Sequence, residues 1–379
     1  MSALRRSVRI AVRVGRGGKR ALRSAARLGR RAALAARGVP RHDVRVFYGF
    51  PRVPGPRTRE ATGGLVKIQR MQARFPNAPW RFNVVYLVSS RLPPDADAII
   101  AMARRYGIPL VLNQNGVAYP GWHGPGWEMT NAPIRRALAA AAHVFYQSAF
   151  CKLSADRFLD PPSTAWEVLP NAVDTRAFVP AATVQTGPLT LLVGGTQDLR
   201  YKVGVALEVL AHVALVRRDV KMLVTGRLRW SGDPRACLRD VTDLAAALGV
   251  TDRVTFVGPY AQVDAPALYR RAHLLLHPKY NDPSPGLVVE ALASGLPVVY
   301  SASGGLPELV GDSGVGVPAE LSWERDVAPD PKAMADGVLA VAERLPELAQ
   351  AARQRAVERF DIRGWLDRHA DVFAALRPA

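Results

Sequence analysis

The stretch HPKYNDPSPGLVVEALASGLPVVYSASGGLPELVGDSGVGVP, residues 277–318, decides the fold of this 379-residue chain. It follows a short apolar run, residues 273–277, and passes through a proline-rich turn and Gly286 into a segment that fits a helix over 286–294. A second apolar run, residues 298–300, and a second glycine- and proline-marked turn come next. Strand, turn, helix and strand form the repeating unit of a parallel α/β sheet.

The same alternation extends in both directions along the chain. Length alone favours two domains, because 379 residues exceed one ordinary core. The sequence therefore predicts two doubly wound, Rossmann-like domains facing a central cleft, over 41–182 and 188–355, with a linker at 180–188, a basic tail at 1–40 and a helical segment at 356–379. Further predicted strands are 44–48, 83–88, 109–113, 189–193, 220–225 and 254–257; predicted helices are 65–75, 95–106, 203–216, 235–248, 265–271 and helices within 332–376.

Composition excludes several classes of protein. With 49% hydrophobic and 22% charged residues the chain reads as globular, and no apolar run of about 18 residues suggests a membrane-spanning helix. The two cysteines, Cys151 and Cys237, are isolated, which fits a reducing cytoplasm and no cysteine metal site. Asp95-Ala96-Asp97 has the spacing of a metal-binding pair, but it opens a helix, so we predict capping and no metal.

The formal charge of +19 is concentrated at the N-terminus, where residues 1–40 hold twelve Arg or Lys and no acid. Such a tail is attracted to an anionic membrane surface, which predicts that residues 1–38 attach the protein peripherally and can be deleted without unfolding it. A disordered tail that reflects coding bias and a targeting segment are the alternatives, and nucleic acid is the partner that we expect least.

Ligands of open α/β sheets bind beyond the carboxyl ends of the strands, so two strand-to-helix turns are candidate sites. The first, around Gly195, precedes Arg200 and Lys202, cations suited to a departing diphosphate, although an isolated lysine is usually a surface residue. The second places Asp282 in the turn and Glu290 one helical turn beyond Gly286 and Leu287. Asp282 fits a sugar contact and Glu290 a ribose contact, while helix capping and a solvated helix face are the alternatives. A third turn, residues 303–308, reads as a simple helix cap.

From about 189 to 318 the chain resembles the C-terminal domain of family 4 glycosyltransferases, which have the GT-B fold. The resemblance rests on Asp282-x7-Glu290, on EALASGLPVV over 290–299 and on GGLPEL over 304–309. Upstream, PNAVDT over 170–175 resembles the segment that the family has near its domain junction.

The resemblance implies a metal-independent, retaining transfer from a UDP- or GDP-sugar, with no cofactor, to a glycan or lipid-linked acceptor in envelope or polysaccharide synthesis. The isolated cysteines and the basic tail together predict a cytoplasmic protein that is peripheral at the inner face of the membrane. Lys202 with Arg200 would stabilise the diphosphate, while Glu290 would bind the ribose and Asp282 the sugar. Gly63-Gly64 would approach the donor phosphates across the cleft.

The chain departs from the family pattern at three positions. Asp282 stands where the family has glutamate, Ala172 replaces a glycine, and Thr196 replaces an arginine for which Arg200 is the candidate substitute. These departures keep open a non-catalytic GT-B protein that binds a glycan or a partner. A GT-B sugar phosphorylase is the other alternative, although no lysine lies in a recognisable pyridoxal phosphate context.

The N-terminal half is expected to bind the acceptor through the glycine- and aromatic-rich loop over 113–127. We predict stacking of sugars on Tyr119, Trp122 and Trp127, a polar contact from Asn115, and proton handling by His123. An irregular loop packed by its own aromatic side chains is the alternative.

Overall fold

The computed structural model describes residues 24–36, 38–58, 63–182 and 187–377, which form two α/β domains. The N-terminal sheet has five parallel strands in the order β1-β2-β3-β4-β5, and the C-terminal sheet has six in the order β11-β10-β9-β6-β7-β8. This confirms the predicted fold of two Rossmann-like domains. The N-terminal strands are β1 Val46–Phe47, β2 Val84–Val88, β3 Leu110–Gln114, β4 His143–Tyr146 and β5 Ala165–Val168. The C-terminal strands are β6 Leu189–Val193, β7 Val220–Thr225, β8 Val254–Gly258, β9 Leu274–His277, β10 Val298–Ala302 and β11 Gly314–Pro318.

Helices cover both faces of each sheet, which is why most strand residues are apolar rather than alternating. The N-terminal domain carries α1 (residues 24–36), α2 Gly63–Met71, α3 Ala96–Arg105, α4 Pro120–His123, α5 Trp127–Ala139 and α6 Ala149–Phe158. The C-terminal half carries α7 Arg200–Val216, α8 Pro234–Ala247, α9 Ala265–Tyr269, α10 Gly286–Ala293, α11 Leu306–Val310, α12 Pro331–Glu343, α13 Leu345–Arg359 and α14 Ile362–Leu376.

The last helix, α14, leaves the C-terminal domain and packs on the N-terminal sheet. Its Trp365 and Phe373 share a buried cluster with Val46 and Tyr48. His369, on the same helix, lies with Nε2 3.1 Å from the hydroxyl of Tyr86 on β2. The two domains are therefore joined both by the segment near 180 and by this returning helix.

Part of the basic tail is built into the N-terminal domain. Leu34 of α1 is 2% exposed and belongs to the core, and Arg30 is buried 3.5 Å from Asp95 with its guanidinium 4.9 Å from the Phe47 ring centroid. Deletion of residues 1–38 would remove these contacts, so the expectation that the whole tail can be removed is wrong for α1. Residues 1–23 of that tail lie outside the described residues.

Asp95 and Asp97 are both held in ion pairs. Asp95 stands at the N-cap position of α3, but its side chain makes no capping hydrogen bond and faces Arg30 instead, which corrects the predicted capping role. Asp97 pairs with Arg136 at 2.7 Å. Across the described ranges there is no cluster of three His, Cys, Asp or Glu suited to a metal, and no helix long and apolar enough to span a membrane.

Candidate functional site

The turn at 281–286, which joins β9 to α10, is wedged between the two domains. The Ser148 hydroxyl donates to the Pro283 carbonyl at 2.6 Å, and the Asn171 amide donates to the Ser284 carbonyl at 2.7 Å. Ser148 follows β4 and Asn171 follows β5, so the carboxyl ends of the N-terminal strands meet a carboxyl-end turn of the other sheet. This junction is the cleft in which ligands of such sheets bind.

The glycine turn after β10, residues 303–305, holds the turn at 281–286 in place through hydrogen bonds. The Gly305 amide donates to the Asp282 carbonyl at 2.9 Å, and the Ser303 hydroxyl accepts from the Asn281 amide at 2.8 Å. Gly304 has φ +65°, and a Cβ there would lie 2.7 Å from the Asn281 carbonyl carbon, so glycine is required. This third turn positions the second one. By contrast, a Cβ on Gly286 would meet no described atom within 4 Å, so the start of α10 lies open to a ligand.

Asp282 belongs to a buried group of charges that we name the donor-side cluster: Lys202, His277, Lys279 and Asp282. Its Oδ2 lies 3.0 Å from Nε2 of His277 and 3.5 Å from Nζ of Lys279. Lys202, on α7, donates to the Thr196 carbonyl at 2.9 Å and lies 3.4 Å from Asp198. The cluster thus unites the two turns that the sequence singled out.

The pKa shifts favour the charged forms of Lys279 and Asp282, whereas burial and the nearby Lys279 lower the pKa of Lys202. Burial alone would raise the Asp282 pKa, but Lys279 and His277 outweigh it and hold that pKa below its ordinary value. Burial would likewise lower the Lys279 pKa, yet Asp282 and Asp198 raise it overall. Burial lowers the pKa of His277, so its imidazole is neutral at pH 7 and donates from Nε2 to the carboxylate. An anion would favour the ammonium form of Lys202, so two lysines beside a neutral imidazole suit a diphosphate.

Glu290 is the second acid of the motif and lies buried at the domain interface, 6% exposed. It accepts hydrogen bonds from Gln262 Nε2 at 2.7 Å and from the Tyr269 hydroxyl at 3.0 Å. Its third partner comes from the other domain, because Arg70 at the end of α2 places Nη2 2.7 Å from Oε1. Glu290 is therefore no solvated helix residue, and a ribose that binds it has to displace or share Arg70.

The first turn contributes Lys202 but not Arg200. Gly195 has φ +79°, which L side chains rarely adopt, and lets the chain turn into α7. Arg200 points to the surface, where its guanidinium forms a two-pronged ion pair with Asp240 at 2.6 and 2.7 Å. The structure does not bring it to the donor-side cluster, so the proposed substitution for the missing arginine at Thr196 fails. Lys279 supplies the second cation there instead.

The glycine pair of the N-terminal domain begins α2 at the cleft. A Cβ on Gly64 would lie 2.8 Å from Cβ of Arg91, so glycine allows close packing on the segment after β2. A Cβ on Gly63 would meet nothing within 4 Å of the described chain. Gly63 therefore leaves the helix start open, as a phosphate-approaching turn requires.

The aromatic loop divides into a buried part and an exposed part. Tyr119 is 5% exposed, and its ring centroid lies 5.0 Å from that of Trp323, which reaches over from the segment after β11. Trp127 is partly buried and packs on Phe158, so these two loop aromatics pack on the N-terminal core through residues outside the loop rather than on each other.

Leu287 of α10 lies against the Gly195 turn and packs beside the C-terminal core.

The exposed part holds Trp122 and His123. Trp122 is 43% exposed, and His123 Nε2 lies 2.8 Å from the Thr130 hydroxyl on the same surface segment. Neither is in contact with the donor-side cluster. Asn115 lies nearer to the cleft, since its backbone amide donates to Ser89 and the neighbouring Gly116 packs against Pro283.

Residues that the sequence did not single out complete the site: Lys279, His277 and Arg70. Lys279 and His277 lie inside residues 277–318, within five residues of Asp282. Their closeness to Asp282 could therefore have been predicted from the sequence. Arg70 had no such signal, because it meets Glu290 across 220 residues of sequence.

Comparison with known proteins gives a family match in the C-terminal half of the chain. Residues 187–344 match the family model for glycosyl transferases group 1. A D-inositol 3-phosphate glycosyltransferase of Salinispora tropica is 34% identical over 199 residues, which cover 45% of this chain and 40% of that protein. The enzyme of the same name from Mycolicibacterium smegmatis is 33% identical over 45% of this chain and 36% of its own length. The chain thus spans between 27% and 40% of the length of the curated relatives it matches.

Solved structures share the fold across most of the chain. Sucrose-phosphate synthase from Thermosynechococcus elongatus superposes with a TM-score of 0.64 at 17% identity, covering 82% of this chain and 76% of that one. Anabaena Alr3699/HepE in complex with UDP gives 0.63 at 17% identity, covering 78% and 79%. The architecture is GT-B. Its C-terminal domain is a group 1 glycosyltransferase domain, which confirms the family resemblance predicted from residues 277–318.

Proposed function

We propose that the chain transfers a glycosyl group from a UDP- or GDP-sugar to a hydroxyl of a glycan or lipid-linked acceptor, with retention of configuration and without a metal ion. The observation that carries the proposal is the donor-side cluster, in which Lys279 and Lys202 both act on Asp282 in the turn that leads into α10. Two ammonium groups can stabilise a departing diphosphate where a divalent ion would otherwise act. Solved complexes of HepE with UDP, and with UDP and glucose, support a nucleotide sugar as the donor.

Each element of the cleft has a part in this proposal. Lys202 and Lys279 bind the diphosphate, the amides at Gly286 face the phosphates or sugar, and Glu290 takes the ribose hydroxyls in place of Arg70. Asp282 orients the sugar with its remaining acceptor capacity, since His277 and Lys279 both contact Oδ2. The acceptor enters from the N-terminal domain.

Release of nucleoside diphosphate from a panel of UDP- and GDP-sugars tests the proposal, with cell extract as the source of acceptors. We expect release from at least one donor, undiminished by EDTA, and none above background from Lys202→Met. If no donor yields nucleoside diphosphate, the transferase proposal fails. Loss of release in EDTA that returns with added Mg²⁺ would refute metal independence alone.

A second candidate is a non-catalytic GT-B protein that binds a glycan or a partner. Asp282 favours it, because the shorter acid is drawn toward His277 and Lys279 rather than toward the open start of α10. Calorimetry with UDP, together with the donor panel, separates the transferase from the non-catalytic protein. Binding of UDP without turnover of any donor supports the non-catalytic protein.

We also propose that the basic N-terminus attaches the protein to an anionic membrane surface. Eight of the twelve tail cations precede α1, and Leu28 of that helix and Trp80, which lies against Gly29, stand exposed. Co-sedimentation with anionic vesicles tests the proposal on a variant that lacks residues 1–22, which keeps α1. Binding equal to that of the full chain would refute it.

A further inference from the structure

Glu308 lies in the third turn of the C-terminal domain, yet its carboxylate binds the N-terminal domain. Oε2 accepts from the Ala149 amide at 2.9 Å, and Oε1 accepts from the Phe150 amide at 3.3 Å. These two amides begin α6 and lie 159 and 158 residues before Glu308 in sequence. The sequence predicts a helix cap at 303–308, and the helix that Glu308 caps lies on the other side of the cleft.

The helix α6 takes part of its N-terminal cap from that carboxylate. The first amides of a helix have no partner within the helix and carry a partial positive charge. Ser148 satisfies one of them, since its hydroxyl accepts from the Cys151 amide at 3.0 Å. The first turn of α6 contains no acidic residue. Glu308 therefore supplies, from the other domain, the negative charge that the start of this helix favours.

Ser148 connects the start of α6 to the turn at 281–286. Its hydroxyl, which accepts from α6, also donates to the Pro283 carbonyl at 2.6 Å. A Cβ on Gly305 would lie 2.1 Å from the Pro283 carbonyl oxygen and 2.9 Å from Cβ of Ser148, so the three segments are in direct contact. We name residues 148–150, Pro283, Gly305 and Glu308 the domain joint. A movement of α6 away from Glu308 would therefore displace the turn that holds Asp282.

A second contact of the C-terminal domain on α6 is of a different kind. The ring centroid of Trp323 lies 5.2 Å from that of Phe150 and 5.3 Å from that of Phe158. Such apolar packing is not directional, whereas two hydrogen bonds to a carboxylate fix the position of a helix end. Trp323 thus holds α6 against the C-terminal domain, and Glu308 determines where its first turn lies.

We infer that Glu308 is a positioning residue of the transfer reaction. By capping α6 across the cleft, it holds the two domains together at the domain joint and sets Pro283 and Asp282 against the N-terminal domain. The inference rests on the proposed transferase function. It adds that transfer depends on a carboxylate whose two oxygens are already occupied by amides of α6.

The distance between spin labels on the two domains tests the domain joint without any turnover. Met129→Cys in α5 and Leu215→Cys in α7 place the labels at side chains that are 78% and 83% exposed, while the native Cys151 and Cys237 are buried and shielded. We expect one narrow distance with Glu308 present and a second population in Glu308→Gln. Glu308→Lys should populate the second distance further, because an ammonium cannot accept from the amides and is repelled by the helix start. Identical distance distributions in all three proteins would overturn the inference.

The kinetics give a second measurement. Glu308→Gln should lower kcat for nucleoside diphosphate release about 10-fold, the loss expected for a charge-assisted hydrogen bond. UDP affinity should stay within threefold or increase, because Lys202 and Lys279 lie in the C-terminal domain and separation would free Glu290 from Arg70. A loss of UDP affinity as large as the loss of kcat would assign Glu308 to the nucleotide site and contradict its positioning role. An unchanged kcat would contradict it as well.

Glu347→Gln is the matched control. It removes an exposed carboxylate whose ion pair with Arg344 stays within the C-terminal domain, so neither the label distance nor kcat should change. Thermal unfolding curves confirm that each variant is folded. If no donor is turned over by the unaltered protein, the transferase proposal fails, while a second label distance in Glu308→Gln still supports the domain joint.

Discussion

The two sides of the cleft differ in whether their buried charged side chains have partners of opposite charge. On the C-terminal side, Lys202, Lys279 and Asp282 compensate one another, and Glu290 is compensated by Arg70 from across the interface. On the N-terminal side, Lys67 is 5% exposed, no described carboxylate pairs with it, and burial lowers its pKa to about 7. A ligand on the donor side must therefore replace contacts that already exist. The two sides predict different responses to mutation and to pH.

The largest effect is expected at Lys202. Lys202→Met removes a preorganised cation at the diphosphate, and losses of this kind cost about 100- to 1,000-fold in kcat. Nucleoside diphosphate release under saturating donor measures it. Lys221→Met is the control, because Lys221 is exposed on β7 and should leave the rate unchanged. A kcat within threefold of the unaltered protein would remove Lys202 from the site.

The next largest effect is expected at Glu290, where the ribose would take the place of Arg70. Glu290→Gln keeps the shape but loses the charge-assisted hydrogen bonds, so UDP affinity should fall about 10-fold or more. Arg70→Met removes the competitor for the same carboxylate and should strengthen UDP binding severalfold. Calorimetry measures both. Weaker binding in Arg70→Met would show that Arg70 helps to bind the nucleotide rather than competing with it.

The uncompensated lysine predicts a pH-dependent stability. The folded pKa of Lys67 is about 7 and the unfolded value about 10.4, so the unfolded chain binds more protons between these values and the free energy of unfolding rises with pH. Relative to Lys67→Met, the unaltered protein should gain on the order of 2 kcal/mol from pH 7 to pH 9. Urea unfolding at the two pH values measures it. A constant difference between the proteins would mean that Lys67 is hydrated or paired when folded.

Secondary structure was predicted well where strands are continuous apolar runs. The bounds of β6 and β7 agree with the expected ones, because strands of a parallel sheet are covered on both faces. Several of the elements that were missed break this pattern: β5 is largely exposed, β11 contains two glycines, and α5 holds Pro133 inside a helix. The buried strand β4 and the helix α6 were missed although they do not break it. Tertiary packing stabilises these segments, and local composition does not reveal it.

The candidate site was predictable on one side of the cleft only. Asp282, Glu290 and Gly286 stood out because one short stretch brings a turn, a helix start and two acids together. Lys67 and Arg70 looked like ordinary polar residues of an amphipathic helix. Their significance comes from burial and from partners, or the lack of partners, contributed by segments far away in sequence. The basic tail is the opposite case. Its charge predicts a surface segment that can be deleted, but Leu34 and Arg30 are buried in the core.

The smallest effect is expected at Arg200. This residue is close to Lys202 in sequence but does not contact the donor-side cluster. Arg200 lies two residues before Lys202, yet its guanidinium is 55% exposed and held by Asp240 on the outer side of α7. Exposed ion pairs contribute at most about 1 kcal/mol to stability, and this one contacts no member of the donor-side cluster. Arg200→Met should therefore leave kcat and UDP affinity within twofold, with Asp240→Asn as the matched control for loss of the same pair. If Arg200→Met alone lowers kcat 10-fold, the guanidinium must leave Asp240 and reach the diphosphate during turnover. The charge balance of the donor side would then include a third cation.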